Sequence, residues 1–300
     1  MDRAAFRLLV TQNGDGGWDW GYGWTPDTDP ATGTSAYNTI GVTAQGMLDT
    51  YKETSSPRYL SACIDAYDLM VVNSASENVK VHRIRGPDIP FLVELSEVTG
   101  DSTYAEFARD RYEAALIEYA DGTADGFAAF VRDIRVGQSR PALVAWDINL
   151  YIQGVLALGE TGDAALMAGV IYEFLYGENG FNLENDTQVY YYDTIAGALE
   201  AFATTGLYPD KVTELTTSLL DSQQANGSFL VDSVNGEYPQ TTAYAVMALA
   251  EVLGYDRAMA SAVNYLIGCQ ETNGSWLVPG EGEYTEVSSE IIQAIYDFIK

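Results

Sequence analysis

The chain has 300 residues, 47% of them apolar, with 28 glycines and 9 prolines, the make-up of an ordinary folded protein. Lys and Arg total 15 against 43 Asp and Glu, and the formal net charge of -28 repels nucleic acid and anionic membrane surfaces. No apolar run approaches the length of a membrane span, and Met1-Asp2-Arg3-Ala4-Ala5 lacks the apolar core of a signal peptide. A soluble protein is expected, with an acidic surface suited to an extracellular or salt-rich setting.

Read in chain order, the sequence gives six pairs of helices. An amphipathic first helix and a more apolar second helix are expected over 2–12 and 39–54, 57–72 and 89–99, 102–119 and 148–161, 164–176 and 194–205, 209–224 and 242–253, and 256–270 and 288–299. The segment Ala243-Tyr244-Ala245-Val246-Met247-Ala248-Leu249-Ala250 is apolar all round, as a helix buried on every side must be. Pro57 and Pro209 suit a first helical turn, and Gly100, Gly162, Gly206 and Gly254 follow second helices where a left-handed cap favours glycine.

A turn recurs between the members of a pair. Its clear copies are Gln12-Asn13-Gly14-Asp15-Gly16-Gly17-Trp18, Gln224-Ala225-Asn226-Gly227-Ser228-Phe229 and Gln270-Glu271-Thr272-Asn273-Gly274-Ser275-Trp276, with weaker ones ending at Phe127 and Phe181. The spacing of roughly fifty residues is that of a helical-pair array. Buried second helices then form an inner barrel and amphipathic first helices an outer wall, an all-α (α/α)6 toroid of six inner and six outer helices. Residues 1–300 are expected to form one domain, because a helix pair cannot bury its apolar faces without its neighbours. Cys63 and Cys269 fall on different helices, and both are expected to be buried free thiols.

The Gln-x-x-Asn/Asp-Gly-Ser/Gly-Trp turns resemble those of the α/α-toroid superfamily of terpenoid cyclases and protein prenyltransferases, and similar barrels occur in polysaccharide lyases and glycosidases. The resemblance covers nearly the whole chain and implies the toroid. It also implies where chemistry sits in a class II cyclase, on an Asp-x-Asp-Asp acid at the start of an inner helix. Here that stretch reads Asp147-Ile148-Asn149-Leu150, so the acid cluster is missing. A prenyltransferase zinc site needs an Asp, Cys and His set that neither cysteine nor the single His82 can complete, and no metal site is expected from histidines.

Parallel inner helices bring every preceding loop to one mouth. Two loops are long, 13–38 with Trp18, Trp20, Tyr22, Trp24 and Tyr37, and 121–146 with Arg132, Asp133, Arg135, Arg140 and Trp146. Trp20, Tyr22, Trp24 and Trp146 are candidates for stacking on a ligand, whereas Trp18 reads as the wedge of the repeat. Arg83, Arg85, Arg132, Arg135 and Arg140 gather near two inner-helix starts, where they either bind an anion or brace the loops through Asp88, Asp133 and Asp147. Asp88, Asp147 and Asp193 precede inner helices, as caps or as catalytic carboxylates. His82, beside Arg83, Arg85 and Asp88, and Tyr192, beside Asp193, are the remaining candidates for moving a proton. Asp27-x-Asp29 is compatible with calcium and equally with a solvated turn.

These features favour a carbohydrate-active enzyme, a polysaccharide lyase or glycoside hydrolase, acting on an acidic glycan in the central cavity. The alternatives are a terpenoid cyclase-like protein without its acid cluster and a non-catalytic toroid that binds glycans or protein. The expected partner is an anionic small molecule or oligosaccharide, bound by a monomer.

Overall fold

The computed structural model describes residues 1–21, 35–178, 191–232, 236–278 and 282–300. In chain order the helices are α1 (Asp2–Thr11), α2 (Ile40–Thr54), α3 (Pro57–Ser74), α4 (Val79–His82), α5 (Asp88–Thr99), α6 (Thr103–Tyr119) and α7 (Ala124–Gly137). They continue as α8 (Val144–Ala157), α9 (Thr161–Tyr176), α10 (Tyr191–Thr205), α11 (Pro209–Asp221), α12 (Pro239–Ala250), α13 (Asp256–Gly268) and α14 (Thr285–Ile299). Among the described residues the only sheet is a two-stranded hairpin, β1 (Leu277–Val278) and β2 (Gly282–Glu283), with Leu277 opposite Glu283.

The helices form an α/α toroid. Helices α2, α5, α8, α10, α12 and α14 touch in that order, and α14 returns to α2, so the inner ring is closed. Helices α1, α3, α6, α9, α11 and α13 pack outside it. Burial follows the sequence pattern. Every residue of α2 from Ile40 to Thr50 is buried, whereas outer α11 buries only Leu215, Thr216 and Leu219, one stripe of its surface.

The repeat turn explains how neighbouring pairs lock. Trp18 and Trp276 are buried wedges whose indole N–H groups donate to Leu8 O at 2.8 Å and Leu266 O at 2.6 Å, the carbonyls of the preceding outer helix. Gly16, Gly227 and Gly274 have φ of 96°, 95° and 102°, and each lies against the backbone of the next outer helix, at Asp65, Ser261 and Arg3. Contact between Gly274 and Arg3 joins the last pair to the first. The glutamine of the second copy is Gln223 rather than Gln224. Gln12, Gln223 and Gln270 all return their side-chain amide to the carbonyl of the turn glycine, at 2.8, 3.1 and 2.9 Å.

Two expectations need correction. The stretch 121–146 is not one long loop, because α7 occupies its centre and packs against α6, α8 and α9. Its buried Ala124, Phe127, Ala128 and Val131 carry the i, i+3, i+4, i+7 signature, so Phe127 belongs to a helix and not to a repeat turn. Inner helices α8, α10, α12 and α14 also begin about three residues earlier than expected. Their first turns carry polar residues that face the barrel mouth, so an apolar pattern starts too late. Phe181 lies outside the described residues. Cys63 and Cys269 are both free; Cys63 is buried and Cys269 half-buried.

Candidate functional site

A cavity of 670 Å³ opens where the first turns of α8, α10, α12 and α14 converge. These turns supply Trp146, Asp147 and Leu150 from α8, Asp193 from α10, Gln240 and Tyr244 from α12, and Glu286 and Val287 from α14, with 146/150 and 240/244 one helical turn apart. Trp20 and Gly21 close the rim. The Thr285 N–H donates to Trp20 O at 3.1 Å and Gly21 pairs with Tyr284 as an isolated bridge, so the loop after α1 is stitched to the start of α14. Beneath this seam Arg7 of α1 grips Glu283 with two bonds of 2.9 Å, a buried fork-to-fork pair.

One side of the cavity is built of carboxyl groups. Asp193 is 2% exposed and accepts the Thr241 hydroxyl at 2.7 Å; burial pushes its carboxyl up to about 7. Burial, then the charge on Asp147, pushes Glu286 up to about 7, against the opposing pull of Arg135 and of a hydrogen bond from the Trp20 side chain. One turn deeper, Glu290 accepts Gln240 Nε2 and the Tyr244 hydroxyl, each at 2.8 Å. Burial and the neighbouring Glu286 hold Glu290 well above the ordinary carboxylate range. Near neutral pH Asp193 and Glu286 are therefore divided between acid and carboxylate, which puts a proton donor within the site, the requirement for a general acid.

The opposite side is cationic. Arg135, from the last turn of α7, holds Asp147 through Nε and one terminal nitrogen, the latter at 3.1 Å from Oδ1. Burial outweighs this pair and raises the Asp147 carboxyl above its ordinary range. Arg140 lines the same wall and is exposed. Aromatic surface completes the cavity. Trp146 stacks on Tyr244 with ring centroids 3.6 Å apart, and Trp20 meets Tyr284 edge-on at 6.5 Å.

Of the residues singled out in the sequence, Trp20, Arg135, Arg140, Trp146, Asp147 and Asp193 line this cavity. The lining does not include Asp88, His82, Arg85, Arg132 or Tyr192. Asp88 accepts from Arg85 N at 2.7 Å and from Gly41 N of α2 at 3.2 Å, tying adjacent inner helices together, and burial raises it to about 6. It opens the first turn of α5 without capping its own helix. Asp88 and His82 border a separate pocket of 20 Å³, room for about one water. His82 bridges Ser76 O at 2.8 Å to Glu118 and the Tyr119 hydroxyl, each at 2.9 Å, which braces α4 on α6. Arg85 bonds Lys80 O and lies over Tyr37, Arg132 pairs with exposed Asp133, and Tyr192 packs edge-on against Tyr191. Tyr22, Trp24, Asp27 and Asp29 lie outside the described residues, and with them the calcium expectation. Among the described residues no group of three His, Cys, Asp or Glu is arranged to hold a metal ion.

The sequence reading missed Gln240, Tyr244, Tyr284, Glu286 and Glu290. A signal existed: Gln240 and Tyr244, like Glu286 and Glu290, are spaced i, i+4 on inner helices, so each pair shares the face turned to the bore. They sit where an apolar helix was expected to begin, and were read as loop or core.

The toroid has solved counterparts. A possible member of the GH105 family from Salmonella enterica subsp. enterica serovar Paratyphi A superposes with a TM-score of 0.67 at 10% identity, over 99% of this chain and 92% of that one. A variant of the type II terpene cyclase MstE from Scytonema, bound to its substrate geranylgeranyl dihydroxybenzoate, gives 0.61 at 13% identity, over 99% and 95%. A protein from Actinoplanes gives 0.59 at 15% identity, over 100% and 98%. No family model and no curated protein matches the chain. At such identities the likeness carries the fold alone.

Proposed function

We propose that this protein is a carbohydrate-active enzyme, a glycoside hydrolase acting on an acidic glycan in the toroid mouth. The observation that carries the reading is the pairing of buried, protonatable carboxyl groups, Asp193 and Glu286, with an aromatic and cationic wall across the same cavity. Asp193 or Glu286 donates the proton to the leaving glycosidic oxygen. Asp147, fixed by Arg135, is the carboxylate that activates water or steadies the positive charge developing on the sugar ring. Trp20, Trp146 and Tyr284 offer ring faces and edges to sugar rings, and Arg135 and Arg140 receive the acidic substituent. The likeness to a possible GH105 member agrees with this reading. Residues 1–300 act as a single domain and, in this reading, as a monomer.

A cyclase is the second reading, favoured by the likeness to MstE and by an acid buried deeply enough to stay protonated. The polar lining weighs against it, since Arg135, Gln240 and Glu286 and above all Arg140, which forms no ion pair among the described residues, would lose water against a polyprenyl chain that offers no hydrogen bonds in exchange. The test is a panel of acidic and neutral oligosaccharides and prenyl substrates, read by product mass spectrometry. Hydrolysis adds one water per bond broken and falls by about 10²–10⁴-fold when the proton donor is removed, in Asp193→Asn or in Glu286→Gln. An unsaturated sugar product would assign a lyase, and turnover of prenyl substrates alone would replace this reading by the second.

A further inference from the structure

Resting on the glycan hydrolase reading, the geometry points to a cavity that takes up a proton together with an anionic ligand: the negative group seated on Arg135 and Arg140 holds Glu286 in its acid form. The shape of the Arg135 contacts is the first support. Arg135 meets Asp147 with Nε and one terminal nitrogen and turns the other to Gln138 Oε1 at 3.2 Å. Gln138 is exposed, so an incoming carboxylate can take its place while the pair with Asp147 stays intact. Arg140 is the second support. It is exposed on the same wall and forms no ion pair among the described residues. Glu286 is the third. Asp147 already raises its proton affinity and Arg135 lowers it, so a second negative charge on that guanidinium acts in the same direction as Asp147.

The surroundings of Glu286 leave it free to respond. Asp147 and the two arginines face it from the α7–α8 side, Asp193 from α10, Tyr244 from α12 and Trp20 from the loop after α1. Glu283, on β2, is neutralised by Arg7 of α1. Burial and Glu286 raise Glu290 on the same helix, and burial and Glu290 raise Tyr244. On α2 the Asp49–Lys52 pair faces the far turn of α14 beside Asp297, and Tyr265 of α13 faces Cys269 and Glu237. Within the cavity, Glu286 and Asp193 are the carboxyl groups raised to about 7, near half-protonation at neutral pH. No covalent step is involved; the proton comes from the buffer.

The experiment is calorimetric titration of the protein with sodium galacturonate and with glucose at pH 7, in buffers of contrasting ionisation enthalpy. If the anion raises the proton affinity of a half-protonated Glu286 tenfold, uronate binding takes up about 0.4 proton, and its affinity falls by up to about tenfold between pH 5.5 and 8.5. Glucose binding takes up none. Glu286→Gln keeps uronate binding and loses the uptake, and Arg140→Ala weakens uronate but not glucose. Uronate binding with no proton exchange and no pH dependence overturns this inference alone. So does full uptake persisting in Glu286→Gln, because the proton then goes to another group. If that variant does not fold, the pH dependence of the unmodified protein decides. Failure of both sugars to bind overturns the glycan reading together with this one.

Discussion

Replacing Asp193 by asparagine separates what the residue does for chemistry from what it costs the fold. The carboxyl group is 2% exposed, accepts one hydrogen bond, from Thr241 at 2.7 Å, and ionises at about 7 instead of an ordinary 3.8. Between pH 4 and 7 the folded protein keeps a proton that the unfolded chain has released, so this group's contribution to stability falls as pH rises through that window and is level above it. Three pH units at about 1.4 kcal/mol each give a penalty of about 4 kcal/mol at pH 8. Asparagine removes the penalty and keeps the Thr241 bond, but its amide N–H is left without a partner, at about 1–3 kcal/mol. Asp193→Asn is therefore expected to be less stable than the unmodified protein at pH 4 and more stable by about 1–3 kcal/mol at pH 8. Glycan turnover should fall by about 10²–10⁴-fold. Urea unfolding followed by circular dichroism from pH 4 to 8.5 reads the crossing. A variant that loses the same stability at every pH would show that Asp193 is an ordinary ionised carboxylate and no acid at all.

The same linkage acts on the whole molecule. Burial raises Asp49 and Glu286 to about 7, Glu200 to about 8 and Asp88 to about 6, so thermal stability should fall from pH 5 to pH 8; a rise over that range contradicts the burial argument. Arg7→Met leaves Glu283 buried without its partner and should cost about 3–5 kcal/mol, much of it restored when Glu283→Met is added. An equal loss in the double variant would mean that packing, and not charge, holds the seam beside Trp20. Gly227→Ala forces a Cβ to 2.1 Å from Ser261 O at a φ of 95° and should destabilise the fold by about 1–3 kcal/mol or more, as read by denaturant midpoint. Cys63 is buried and its thiol is pushed upward by burial, so thiol reagents should label it only on unfolding, with Cys269 reacting first.

Fold and site were not equally legible. The toroid could be read because its devices are local: a buried indole, a glycine forced to positive φ and an apolar inner helix each leave a mark within a few residues. The register of the second turn was misread by one residue, since Gln223 and Gln224 differ only in which one reaches the Gly227 carbonyl. Helix α7 was hidden because charged residues and Gly126 read as loop, although its apolar spacing was intact. In the site, Asp147 and Asp193 announce themselves beside an arginine-rich stretch and a tyrosine run. Glu286 and Glu290 do not, since an acid at i and i+4 also describes an exposed helix face. What makes them functional candidates is closure of the ring, which sets α14 against α2 and α12 and turns that face inward. His82 misled for the opposite reason. As the lone histidine it attracted a role, but its ring is occupied by Ser76, Glu118 and Tyr119 on the outer side of the wall.

The central claim is that one acidic sugar lies across the mouth with its negative group on the arginine wall and its scissile bond on the carboxyl wall. A crystal structure of the Asp193→Asn variant soaked with an acidic disaccharide tests it most directly. The account predicts the sugar carboxylate within hydrogen-bond distance of Arg135 or Arg140 and the glycosidic oxygen beside position 193 or Glu286. A disaccharide bound elsewhere on the toroid, or lying in the cavity with its carboxylate turned toward Glu286 and Glu290, would contradict it.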